Sequence, residues 1–233
     1  MMNAPGVLGL QREARTARLL ATVSTLLSGF LLIVGLAPSG HPPDVIRTRG
    51  IVIVDAQGRD RILIGAPIPG SGNRIRTNFE KAKLAWAGRY PDFEWYRGLE
   101  HSTNGIVMID ERGYDRIVLG DPTPDPNIGK RVAPASGIAI NDQEGFERTG
   151  WGYFPSLNRT ALGIDTPKGN EGIMVGVLDD STAGVVVMDG GPGIFLGNAG
   201  PNHPLTGLGE PFNGLLIRQG EAVKYNLNSR QAK

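Results

Sequence analysis

The sequence predicts one N-terminal transmembrane α-helix followed by an all-β domain of repeated hairpins. Three observations carry that reading. Residues 19–36 form an uncharged apolar run, LLATVSTLLSGFLLIVGL. A strand–turn–strand unit recurs three times between residues 50 and 152. Glycine (34) and proline (17) punctuate the chain, and no helical period of useful length appears over 104–220. The expected layout is a cytoplasmic tail at 1–18, the span at 19–36, a linker at 37–49 and an extracytoplasmic β-repeat domain at 50–233, with an aromatic insertion near 70–103.

The span comes first. At 1.5 Å per residue the run makes a helix about 27 Å long, close to the ~30 Å hydrocarbon core of a bilayer. Its polar positions are Thr22, Ser24, Thr25 and Ser28, whereas a helix buried in a soluble core usually carries a charged stripe. A cleaved signal peptide is the rival. The exit through Val34, Gly35, Leu36, Ala37 and Pro38 has no Ala-x-Ala site, which favours an uncleaved anchor. Arg12, Arg15 and Arg18 precede the run and Arg47 and Arg49 follow it, a bias toward a cytoplasmic N-terminus. Ala21, Ser24, Thr25 and Ser28 share one helix face. Small side chains there let two helices approach in lipid, so this stripe is the expected helix-packing face.

His41, Pro42, Pro43 and Asp44 read as an extended linker, since proline cannot continue the helix. The repeat follows: GIVIVDAQGRDRILIG at 50–65, GIVMIDERGYDRIVLG at 105–120 and GIAINDQEGFERTGWG at 137–152. Asp55, Gly58 and Arg61 recur as Asp110, Gly113 and Arg116, and as Asp142, Gly145 and Arg148. Aliphatic runs of strand length flank a D-x-x-G turn, in which Asp accepts from amides two residues on and Gly takes a positive φ. Calcium takes six to eight oxygens, and each turn offers one Asp or one Asp plus Glu111 or Glu144, so these residues are expected to hold turns, with Arg beside Asp. Weaker copies continue at 159–163, 172–179 and 184–197. A sandwich, an open barrel and a stacked β-roll all fit this pattern; repetition favours stacked hairpins.

One segment interrupts the rhythm. Thr77 and Glu80 form a possible capping box, which predicts a short helix over 79–87. Phe79, Trp86, Tyr90, Phe93, Trp95 and Tyr96 crowd into 18 residues. Rings with an apolar body and a polar tip suit a partner surface or the headgroup level; a lid packing onto its own sheet is the alternative.

The chemistry is sparse. Lys plus Arg (24) against Asp plus Glu (23) gives net +1, which excludes a generally basic nucleic-acid coat. With no Cys there are no disulfides, thiolate nucleophiles or sulfur-ligated metals. His41, His101 and His203 are scattered without metal-ligand spacing, and no P-loop, nucleophile elbow or dinucleotide fingerprint appears. No catalytic, cofactor-binding or metal residue is expected.

The D-x-x-G-x-x-R-x-x-L-G hairpin, as in 110–120, resembles those of bacterial single-span proteins with repetitive β domains. The layout is similar to that of accessory subunits of photosynthetic reaction-centre–antenna complexes and respiratory complexes. The resemblance covers about 50–165 and implies a scaffold role; with the span and its charge bias, the expectation is a non-catalytic subunit of the bacterial inner membrane, its β domain periplasmic and its partners the bilayer and at least one integral membrane protein. It transfers no functional residues. A module binding an envelope polymer or a small ligand is the second reading, and an enzyme the third.

Overall fold

A computed structural model describes residues 15, 18, 21, 22, 46–90, 92–178, 180–188, 192–220 and 222–229. The chain divides into Met1–Arg47 and Thr48–Lys233. In the first unit Arg15, Arg18, Ala21 and Thr22 are helical, and the Thr22 hydroxyl donates back to the Arg18 carbonyl (2.9 Å). The rest of the apolar run, including Ser24, Thr25 and Ser28, lies outside the described residues. Among the described residues no helix is long and apolar enough to cross a membrane.

The described strands of the second unit form one open antiparallel sheet of twelve, joined in sequence order. The strands are β1 (Gly50–Val54), β2 (Asp60–Gly65), β3 (Asn104–Ile109), β4 (Asp115–Asp121), β5 (Ser136–Asn141), β6 (Glu147–Phe154), β7 (Arg159–Asp165), β8 (Glu171–Val177), β9 (Ala183–Met188), β10 (Pro192–Ala199), β11 (Phe212–Gln219) and β12 (Ala222–Asn228). The three sequence repeats are the hairpins β1–β2, β3–β4 and β5–β6. They are not stacked: each pairs edge to edge with the next, Gly65 opposite Gly105 and Gly120 opposite Gly137. A sandwich, a barrel and a β-roll are therefore replaced by a meander, in which β1 and β12 are unpaired edges among the described residues.

The repeat builds one turn three times. The Asp55 N–H donates to the Arg59 carbonyl and the Gly58 N–H to the Asp55 carbonyl (2.9 Å each), with Gly58 at φ +75°. The Asp55 carboxylate accepts from the amides of Gln57 and Arg59 (3.0 Å each). Asp110 accepts likewise from Arg112 and Tyr114 (2.9 and 3.0 Å), and Asp142 from Glu144 and Phe146 (2.9 and 3.0 Å). This is an Asx turn closed by a left-handed Gly. A fourth copy joins β7 to β8 with Thr166 in place of Asp and Gly169 at φ +82°.

A row of glycines crosses ten of the twelve strands, from Gly50 to Gly214; only Ala161 and Asn228 interrupt it. At several of these positions a neighbouring backbone leaves no room for a side chain. A Cβ at Gly105 or Gly137 would lie 2.0 Å from the carbonyl oxygen of Leu119 or Trp151.

Connections from one end of the sheet cover one face, the inner face. Residues 66–103 contain α1 (Phe79–Trp86) and the 3-10 turns Ala87–Arg89 and Glu94–Gly98. The α1 cap is Asn78, whose side chain accepts from the Lys81 amide (3.1 Å), not Thr77 as the capping-box reading had it; the Thr77 hydroxyl bonds the Arg74 carbonyl instead. Beneath this cover lie Leu63, Val107, Ile109, Val118 and Ala139, with Ile68 of the covering segment in the same core. At the far end of the sheet Val186, Phe195, Ala199, Phe212 and Leu216 form a second core under the 200–211 connection.

Candidate functional site

The strands β1 to β5 read as nearly unbroken aliphatic runs, and such runs place apolar side chains on both faces of a sheet. The inner face receives Leu63, Val107 and Val118, all buried. The outer face receives two complete rows. One runs Ile51, Ile64, Ile106, Leu119, Ile138 and Trp151 across β1–β6, then Leu162, Val175, Val185, Leu196, Leu215 and Leu227 across β7–β12. The other runs Ile53, Ile62, Met108, Ile117, Ile140 and Thr149, then Ile164, Ile173, Val187, Ile194, Ile217 and Tyr225.

Of these 24 positions all but Thr149 and Met108 are aliphatic or aromatic, none carries a charge, and none is buried. Trp151 is 58% exposed, Leu196 and Leu227 54%. The next row outward is mostly polar, with Asn104 opposite Asp121, Tyr153 opposite Thr160 and Asn198 opposite Asn213. Monomers seldom expose continuous apolar patches beyond a few hundred Å², and this wall is the candidate site.

The inner face keeps an open stretch between its two cores. A groove of about 510 Å³ lies there, lined in part by Gly150, Gly163 and Met174. Arg131 and Glu147 pair across one wall (2.8 Å). Desolvation, then the charge of Glu147, pushes the Asp165 carboxyl up. Desolvation, then Asp165, pushes Glu171 up; much of Glu171 is open to solvent, but Oε1 sits 3.1 Å from where a Cβ of Gly163 would be. Among the described residues no group of three His, Asp or Glu side chains is placed to hold a metal ion.

The six insertion aromatics turn inward. Trp86, Phe93 and Tyr96 are buried in a core with Ile75, Ala82 and Leu99, and Phe79, Tyr90 and Trp95 pack half-buried against it. Phe93 stacks on Tyr96 with centroids 4.8 Å apart. The Trp86 indole N–H donates to the Glu144 carbonyl (2.8 Å), fixing the insertion to the Asp142 turn. Burial pushes the Tyr96 phenol up to about 12, and its hydroxyl donates to the Arg76 carbonyl (3.2 Å). The rings expected at a partner surface thus form the chain's own lid, because eight residues of helix and two tight turns place them over hairpin turns that also carry Tyr114 and Phe146.

The repeated arginines do more than partner their own aspartates. Arg61 pairs with Asp55 (3.3 Å) and Arg116 with Asp110 (4.0 Å), while no such pair joins Arg148 to Asp142. All three reach sideways to the next turn. Arg61 Nε donates to the Ile109 carbonyl (2.9 Å), Arg116 Nε to the Asn141 carbonyl (3.2 Å), and Arg148 to the Thr166 carbonyl. The acid just before each arginine was missed in the sequence although it recurs as Asp60, Asp115 and Glu147. Two of these tie a covering loop to the inner face, Asp115 through Arg74 and Glu147 through Arg131.

No family model, curated protein or solved structure matches the chain.

Proposed function

We propose that this chain is a non-catalytic structural subunit, anchored by its apolar segment at 19–36, that holds together a larger membrane-associated assembly through the outer face of its sheet. The observation that supports this is the uncovered double row of apolar side chains. Water contact over that area is costly, at about 25 cal/mol per Å² of apolar surface, and covering it is the driving force for association. Arg12, Arg15 and Arg18 before the segment support a cytoplasmic N-terminus, with the sheet on the opposite side of an inner membrane. The stripe of Ala21, Ser24, Thr25 and Ser28 would supply a second contact within the bilayer, and tethering raises the effective concentration of the first.

Purification of the full chain from native membranes in mild detergent tests the reading. An assembly containing an integral membrane protein, lost on Leu119→Glu while the sheet stays folded by circular dichroism, is expected. A full chain that runs alone and is indifferent to Leu119→Glu would overturn it. The inner-face groove favours a second reading, retention of an envelope polymer, which predicts that a soluble glycan shifts the melting temperature of the chain and that Glu147→Gln abolishes the shift.

A further inference from the structure

The geometry points to a second copy of this chain as the occupant of the outer face, the two sheets packing face to face about a two-fold axis. This rests on the reading of that face as an assembly surface and names what covers it.

Size is the first argument. Eleven inter-strand spacings of about 4.8 Å make the apolar strip roughly 53 Å long, and two rows about 7 Å apart make it roughly 14 Å wide with their side chains. The footprint is on the order of 740 Å², close to the ~800 Å² per partner of a standard stable interface. The chain's own apolar segment falls short. As a helix of about 27 Å it would span half the strip and leave the other half wet.

Shape is the second. Sheets twist with a fixed hand, and two sheets of the same twist stack at about 10 Å with their strands within about 30° of each other. A second copy supplies that matching twist by construction. A two-fold contact also requires the patch to be complementary to itself, and an uncharged apolar strip satisfies this with no donor or acceptor to pair except at Thr149, Trp151 and Tyr225.

Anatomy is the third. The strip has an uncharged apolar centre and a polar rim, the arrangement of an interface core and its border. Trp151 lies on the sixth of twelve strands and is more than half exposed. A two-fold axis near β6 and β7 therefore brings the Trp151 side chains of both copies to the middle of the contact, where large aromatic anchors carry most of the binding energy.

Sedimentation velocity of the full chain in mild detergent, together with cross-linking in native membranes, tests the pairing. The chain has no cysteine, so Thr149→Cys gives a single reactive site at the polar gap in the strip. The expected results are a dimer by mass, a covalent dimer from Thr149→Cys with a bismaleimide about 10 Å long, and a dissociation constant raised about 30-fold or more by Trp151→Glu. A monomer with no cross-link, whose co-purifying membrane protein is lost on Trp151→Glu, overturns the second copy as occupant and leaves the assembly reading standing. A monomer with no partner and no response to Trp151→Glu overturns both.

Discussion

Asp115 carries more of the fold than any turn aspartate. Arg74 grips it with two hydrogen bonds (2.7 and 2.6 Å) and Arg76 adds a third contact at 3.4 Å, with all three residues buried. Removing one partner of a buried pair strands the other charge, so Asp115→Ala should cost about 3–5 kcal/mol in urea unfolding. Asp110→Ala removes the one carboxylate oxygen that accepts from the Arg112 and Tyr114 amides and should cost about 0.5–2 kcal/mol, with no dependence on added calcium. The titrating groups separate by pH. Partial desolvation alone would push the Asp55 carboxyl up, but the Arg59 and Gln57 amides and the guanidinium groups of Arg59 and Arg61 outweigh it and hold it at about 2. A depressed carboxyl stabilises the fold above its ordinary 3.8, and this contribution is lost as pH falls through about 2.

His101 moves in the same direction for a different reason. Burial first, then the Arg76 guanidinium, push it down to about 4. Its Nε2 faces the Tyr96 carbonyl (3.1 Å) while Nδ1 is buried without a partner, so a second proton would have no acceptor. The unfolded chain binds that proton first, and stability should fall as pH drops from about 6.5 toward 4. Titration of the urea midpoint over that window should show the slope in the parent chain and a flatter line in His101→Gln.

At the level of elements, the hairpins were legible, and for the aromatic segment a partner surface and a lid both stayed open. D-x-x-G turns have to place Asp and Gly at fixed positions, so three of them announce themselves. The β7–β8 turn hides because Thr166 takes the Asp position, and its Gly169 then reads as an ordinary loop glycine. The aromatic segment stood out by composition, but composition is equal for a ring that faces a partner and a ring that faces its own turn. What decides is Trp86 reaching the Glu144 carbonyl and Arg74 reaching Asp115, contacts across 58 and 41 residues of chain. Loss of the α1 cap in Asn78→Ala should cost about 1 kcal/mol in the same unfolding assay.

For the whole molecule, the all-β class followed from the repeat, but its arrangement did not. Whether hairpins stack or lie side by side depends on which strands pair, and β2 finds β3 across the entire 66–103 insertion. A signal was present in the runs at 51–54 and 106–109, which are aliphatic at consecutive positions rather than alternate ones and so require cover on both faces. The chain itself covers the inner face over its two cores. The central claim is that the outer face is covered by assembly, and hydroxyl-radical footprinting of native membranes tests it most directly. Met108, Trp151 and Tyr225 place reactive side chains on the third, sixth and twelfth strands of that face, while Leu84 and Val132, 90% and 76% exposed, lie outside its two rows. Normalised to intrinsic reactivity, Met108, Trp151 and Tyr225 should be protected several-fold in membranes relative to Leu84 and Val132, and should lose that protection on dissociation in strong detergent. Equal labelling of all five in native membranes would contradict the account.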